Sequence, residues 1–270
     1  MQVWESVGSG YVRFGGSIAP PLGYVVENRV LASAVYDRLR HLASSADRPL
    51  TLLEGSGLAA LDMPPHSVVA GVRAPPAPLA TATLEDGRTV RARLVVGADG
   101  GASRTRSLAG VGSWSKDYEQ RGVVASLVVS APDNRTAWQR FLPSGPLALL
   151  PMGPDRASMV WSASPAEAAR LSALGSDQLA DEINAALAAP PSSESGRGGG
   201  ADADGGATDV FSRGAVKLSR AMQGAASSVA PAEPLQRPPR VVSVIGSPAS
   251  FPLRMAGANE YARPRLALVG

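Results

Sequence analysis

The chain has 270 residues, 44% apolar and 18% charged, enough to bury a core in one large or two modest domains and too apolar for a disordered chain. It has no cysteine and only two histidines, His41 and His66, which excludes disulfides, thiolate metal centres, iron–sulfur clusters, a cysteine nucleophile and histidine-rich metal sites. The 26 basic and 23 acidic residues leave a net charge of +3 spread over scattered arginines; with 5% aromatics there is no basic track or stacking platform, and nucleic acid is not expected as a partner.

No apolar run approaches the length of a membrane span, and the opening Met1-Gln2-Val3-Trp4 has neither a secretory nor a transit layout, so no targeting segment is expected. Asn28 caps a predicted helix whose apolar positions Val30, Leu31, Ala34, Val35, Leu39 and Leu42 follow the 3.6 period, and Asp47-Arg48-Pro49 ends it; one face is expected on a core. Strands are predicted at 50–54 and 81–84, the latter joined through Glu85-Asp86-Gly87-Arg88 to a run at 90–96, because Asp-Gly supplies the positive φ of a tight hairpin. Residues 90–93 alternate whereas Leu94, Val95 and Val96 are continuously apolar, the pattern of a strand that ends buried on both faces.

Short β-prone runs at 122–130, 137–142, 146–150 and 157–162, separated by turn-forming residues, predict an antiparallel meander, with Trp138 and Trp161 as packing residues. Two helices follow, the first with Ser164 as cap, Pro165 at its first position and Glu167 placed for a capping box, the second running from Ser176 to Ala189. Residues 190–209 are Gly/Ser/Asp-rich and 223–240 Ala/Ser/Pro-rich, an insertion and a linker that cannot bury enough apolar surface to order themselves. Strand-like runs at 241–245, 250–255 and 265–269 close the chain.

The segment that carries chemistry is Gly97-Ala98-Asp99-Gly100, followed by Ser103 and Arg106, in the pattern G-A-D-G-x-x-S-x-x-R directly after Leu94-Val95-Val96. At the carboxyl end of a strand, glycines let a ligand approach the backbone, a carboxylate accepts from ribose hydroxyls, and the next helix aims its N-terminus at phosphate. Arg106, about one turn in, reaches back toward phosphate or toward Asp99. As a bare turn the same residues are a glycine-rich bend with a surface arginine.

This pattern resembles the second cofactor-contacting motif of the aromatic flavoprotein monooxygenases, the group that includes 4-hydroxybenzoate hydroxylase. The segments 23–28 (GYVVEN), 137–151 (AWQRFLPSGPLALLP) and 260–270 (EYARPRLALVG) narrow the resemblance to the UbiH-like hydroxylases of ubiquinone biosynthesis, of the mitochondrial type. The resemblance implies a mixed α/β fold: a partial FAD-binding Rossmann-like domain at 1–110, an antiparallel substrate domain at 111–189, a low-complexity insertion and linker at 190–240, and a return to both domains at 241–270. It implies FAD as cofactor, held by Gly97, Asp99, Gly100, Ser103, Arg106 and Gly270, with no catalytic residue assigned and no metal.

The family's G-x-G-x-x-G unit is absent, and Gly55-Ser56-Gly57-Leu58-Ala59-Ala60 is a decoy because Pro64-Pro65 stops a helix and no acidic residue lies about 20 positions on. The C-terminal flavin loop is also absent, so the chain is expected to be a fragment lacking both ends, with open sheet edges and marginal stability. The implied activity is ring hydroxylation of a polyprenylated 4-hydroxybenzoate-type phenol, using O₂ and electrons from a ferredoxin or NAD(P)H, at the matrix side of the mitochondrial inner membrane. Peripheral membrane contact and other ubiquinone-biosynthesis proteins as partners are implied with it. The run 147–150 is expected to line the substrate pocket. The alternative is a non-catalytic remnant or assembly partner unable to hold FAD.

Overall fold

Four strands of alternating pattern form the centre of the molecule: β7 (Ser113–Ser130), β8 (Trp138–Leu142), β9 (Gly145–Pro151) and β10 (Arg156–Ala163). In this computed structural model, which describes residues 1–7, 10–15, 20–44, 50–63, 78–131, 134–188 and 236–270, they make the predicted meander, with β8 to β9, β9 to β10 and β10 to β7 all antiparallel. The β8–β9 turn needs glycine at position 145, where φ is +132° and a Cβ would lie 2.3 Å from the Ser162 carbonyl oxygen. β1 (Gln2–Glu5) adds in parallel to β8, β2 (Tyr11–Arg13) pairs antiparallel with β1, and β11 (Arg240–Ala258) lies beside β7, giving the seven-stranded order β11-β7-β10-β9-β8-β1-β2.

One face of this sheet is covered by α3 (Pro165–Ala173) and α4 (Ser176–Ala188). Ser164 caps α3 as expected, accepting from the Glu167 backbone N–H at 3.3 Å, but the Glu167 carboxylate turns to Arg170 (2.8 Å) instead of completing a capping box. Leu171, Leu179, Ile183 and Leu187 pack on Leu127, Leu147, Leu149 and Met159, and Trp4 meets Trp138 edge to face with ring centroids 6.5 Å apart. α4 also seals the outer edge of β11. The Asn184 amide donates to the Val241 carbonyl and accepts from its N–H, both at 2.8 Å, and the Ser176 hydroxyl does the same for Val244 at 3.2 and 3.1 Å.

The chain divides into two compact units, Met1–Ala32 with Asp117–Arg254, and Ser33–Lys116 with Met255–Gly270. The first 32 residues thus fold with the antiparallel sheet, where the resemblance groups them with the cofactor motif; the reason is the parallel β1–β8 pairing, which buries Gln2 and Trp4. In the second unit β3 (Leu58–Asp62), β4 (Ala80–Leu84) and β5 (Thr89–Ala92) form one antiparallel sheet, and β12 (Ala262–Arg263), β13 (Leu266–Leu268) and β6 (Val95–Gly97) form another, in which β13 and β6 are parallel. The short α2 (Arg104–Leu108) follows β6.

Several expectations need correction. The run 90–96 is two strands in two sheets, with the break at Arg93 and Leu94; the Asp86-Gly87 hairpin itself is present, with Gly87 at φ +85°. Residues 50–54 are not a strand, and the Gly55–Gly57 decoy leads into β3 rather than a helix. Leu94 and Val96 are 55% and 54% exposed, so β6 is not buried on both faces: among the described residues β13 is its one strand partner, and α2 reaches it at Gly97. Helix α1 (Asn28–Ala43) takes in the predicted apolar positions, but Asn28 is its first residue rather than its cap, the Glu27 carbonyl accepting the first-turn bonds, and no residue of it is buried, because no described element lies across Val30, Leu31 and Val35. The runs 241–245 and 250–255 are one strand, β11. The expected insertion at 190–209, most of the linker, Asp47-Arg48-Pro49, Pro64-Pro65 and His66 lie outside the described residues.

Candidate cofactor turn and substrate face

The turn after β6 is built on close packing. Gly97 is buried with φ in the ordinary range; its constraint is space, since a Cβ there would lie 2.8 Å from Leu268 Cδ2 and 3.0 Å from Thr105 Cγ2. Glycine lets β13 and the first turn of α2 close on the end of β6. Gly100, at φ +81°, reverses the chain, and neither it nor Gly101 has an atom within 4 Å of a Cβ position, so backbone is open to solvent on that side.

Asp99, itself exposed, organises the turn through its hydrogen bonds. Its Oδ1 accepts from the Ser103 hydroxyl at 2.5 Å, and its Oδ2 accepts from the Thr105 N–H at 2.9 Å and the Thr105 hydroxyl at 3.0 Å. Partial desolvation acts against the charged form, but these hydrogen bonds outweigh it and hold the carboxyl at about 2, below its usual value. Ser103 relays the arrangement, accepting from the Arg106 N–H at 2.9 Å as the N-cap of α2. The Arg106 guanidinium donates to the Gly101 carbonyl at 2.9 Å, not to Asp99.

The six residues assigned to the cofactor are brought together. Five lie on this turn, and parallel pairing sets Leu268 opposite Gly97 with the Val269 N–H donating to the Gly97 carbonyl at 3.0 Å, which delivers Gly270 to the same end of β6. Asp99 spends most of its accepting capacity within the turn, so its evident task is to shape the loop. Thr105, an unmarked position of the motif, supplies two of the three hydrogen bonds to that carboxylate and was not singled out by sequence; its signal is a hydroxyl two residues past the capping serine.

The second candidate surface is the sheet face opposite α3 and α4. Strand alternation divides the run 147–150: Leu147 and Leu149 are buried beneath the helices, and only Ala148 and Leu150 look the other way. The expectation that the whole run lines a pocket is corrected accordingly. On the open face the register aligns Val12, Val3, Gln139, Ala148, Val160 and Val124 in one row across six strands, all half-buried. Ser126 and Ser158 are paired one step along. A cavity of about 420 Å³ adjoins Ser126, with Glu27, Arg29, Met152, Arg156 and Ile245 in its wall, a volume in the range of small-ligand sites. Among the described residues no cluster of acidic or histidine side chains is arranged to hold a metal, and no helix is long and apolar enough to cross a membrane.

Residues 67–196 match the model of the FAD binding domain family. The whole chain aligns at 36% identity with the mitochondrial ubiquinone biosynthesis monooxygenase COQ6 of Rattus norvegicus, covering 52% of that protein, and at 35% with its Homo sapiens counterpart, covering 53%. Over its whole length the chain is thus similar to mitochondrial ubiquinone biosynthesis monooxygenases.

The chain spans about half the length of the curated relatives it matches. Over 142 residues, 53% of the chain and 29% of the relative, it is also 40% identical to the ubiquinone hydroxylase UbiL of Rhodospirillum rubrum. Among solved structures, PqsL, a probable FAD-dependent monooxygenase from Pseudomonas aeruginosa, superposes on the full chain with a TM-score of 0.61 over 59% of its own length at 17% identity, which establishes the fold. The fold is therefore a mixed α/β architecture with antiparallel sheets, as in PqsL.

Proposed function

We propose that the protein is an FAD-dependent monooxygenase that hydroxylates the aromatic ring of a polyprenylated 4-hydroxybenzoate-type phenol in ubiquinone biosynthesis. The observation that carries this reading is the end-to-end alignment with ubiquinone biosynthesis monooxygenases at 36% identity. The glycine turn fits a dinucleotide: Gly100 and Gly101 leave backbone open for close approach, Gly97 closes the strand against α2, and Arg106 stands ready as a cation for phosphate. Asp99, Ser103 and Thr105 hold that loop in shape before any ligand arrives.

FAD supplies the oxygen-activating chemistry when bound. The protein's own share is to bind the cofactor, orient the ring and keep water from the reacting atoms. The half-buried sheet face offers an apolar floor for the ring, and the isoprenoid tail accounts for a place at the matrix side of the inner mitochondrial membrane, reached by peripheral contact. O₂ and electrons from a ferredoxin or NAD(P)H complete the reaction, alongside other ubiquinone-synthesis proteins.

The test is to load the purified protein with FAD, remove free flavin, and measure bound flavin and the mass of the phenol product. Stoichiometric flavin and a product heavier by one oxygen atom are expected. A second reading, a non-catalytic remnant or assembly partner, is favoured by the inward commitment of Asp99 and the exposure of Leu94, Val96 and Val269. Absence of bound flavin at saturating FAD sinks the enzyme reading in favour of that one.

A further inference from the structure

Gln139 is the one polar side chain in a row that otherwise reads Val12, Val3, Ala148, Val160 and Val124. The row spans roughly 24 Å at the usual strand spacing, and its small and β-branched members leave it flat. Gln139 stands near its middle on β8, half-buried, and its amide makes no hydrogen bond to any other described residue. The side chains before and after it on β8, Trp138 and Arg140, are on the opposite face and buried beneath the helices. A half-buried amide without a protein partner among apolar neighbours is costly unless a ligand or water satisfies it.

Resting on the functional reading above, we propose that Gln139 determines which ring is accepted, by hydrogen bonding the phenolic hydroxyl of the substrate. An amide is suited to this task because its Oε1 accepts from the phenol O–H while its Nε2 donates to the phenol oxygen, whereas the aliphatic neighbours contact only the ring face and alkyl substituents. The discrimination comes from the unpaired amide: a ring that lacks the hydroxyl leaves Gln139 desolvated without compensation, so it is rejected even though its shape fits.

The experiment is calorimetric titration of the purified, FAD-supplemented protein with 4-hydroxybenzoate and with benzoate. The hydroxylated probe is expected to bind about fivefold to tenfold more tightly, the yield of one satisfied hydrogen bond. Gln139→Leu is expected to abolish that preference by tightening benzoate toward the affinity of 4-hydroxybenzoate, since the uncompensated desolvation of the amide is gone, a change in ratio that a merely structural role does not produce. Gln139→Met, unbranched and similar in length, gives the same readout if the leucine variant fails to fold. A preference that survives in either folded variant overturns the proposal. Wild-type protein that binds both probes equally overturns the role of Gln139 alone, whereas wild-type protein that binds neither overturns the phenol hydroxylase reading as well.

Discussion

Asp99 and Thr105 are joined twice, the threonine donating both its backbone N–H (2.9 Å) and its hydroxyl (3.0 Å) to one carboxylate oxygen. That pair of hydrogen bonds to the first turn of α2, with Ser103 on the other oxygen, makes Asp99 the keystone of the loop after β6.

The first prediction concerns acid. Because the folded-state value of Asp99 is depressed to about 2, its contribution to stability is fully present above the ordinary aspartate range near pH 4 and is lost as pH falls toward 2. Asp99→Asn places an amide N–H₂ against donors and is expected to lower stability at neutral pH by about 1 kcal/mol. It also flattens this part of the acid dependence. Urea unfolding of both proteins between pH 2 and 6 checks it; parallel pH profiles would falsify the account.

Gly97→Ala tests the packing of the turn. Its methyl meets Leu268 at 2.8 Å and Thr105 at 3.0 Å, and β13 and α2 have to shift to admit it. A loss of about 1–3 kcal/mol is expected, measured by thermal unfolding, together with weakened flavin binding. Gly101→Ala, where nothing lies within 4 Å, serves as the control for stability and is expected to change it little.

Arg140 is 1% exposed, donates to the Ala186 carbonyl at 2.8 Å near the end of α4, and its Nε has no hydrogen-bond partner in a buried setting. Burial lowers its affinity for the proton. Arg140→Met, which keeps the aliphatic volume and removes the desolvated charge, is expected to change stability by less than about 1 kcal/mol, whereas Arg140→Ala opens a cavity and costs about 2–4 kcal/mol. Equal losses in denaturant titration would contradict this assignment of cost to volume.

Asn184→Leu removes both hydrogen bonds that occupy the free edge of β11 at Val241. A stability loss of about 1–3 kcal/mol and faster growth of light scattering on warming are expected, because the uncovered strand edge becomes a template for another chain. A variant as monodisperse as the wild type after heating argues that Ser176 and Val244 protect the edge alone.

What the sequence determined by itself was local. The meander, the Asp86-Gly87 hairpin, the Ser164 cap and the presence of α1 were legible because turn chemistry, capping and helical periodicity depend on residues a few positions apart. The G-A-D-G-x-x-S-x-x-R pattern marked the loop after β6, although the strand before it is not buried on both faces as its apolar run suggested. Tertiary structure decided everything that depends on distant partners. Whether a bulky residue fits at Gly97 is set by Leu268, and whether Asp99 is free is set by Thr105. The split of 147–150 between two faces, the half-buried isolation of Gln139 and the exposure of α1 follow from which elements lie across them. Periodicity tells a strand which residues share a side, but only packing against other parts of the chain decides which side is the core.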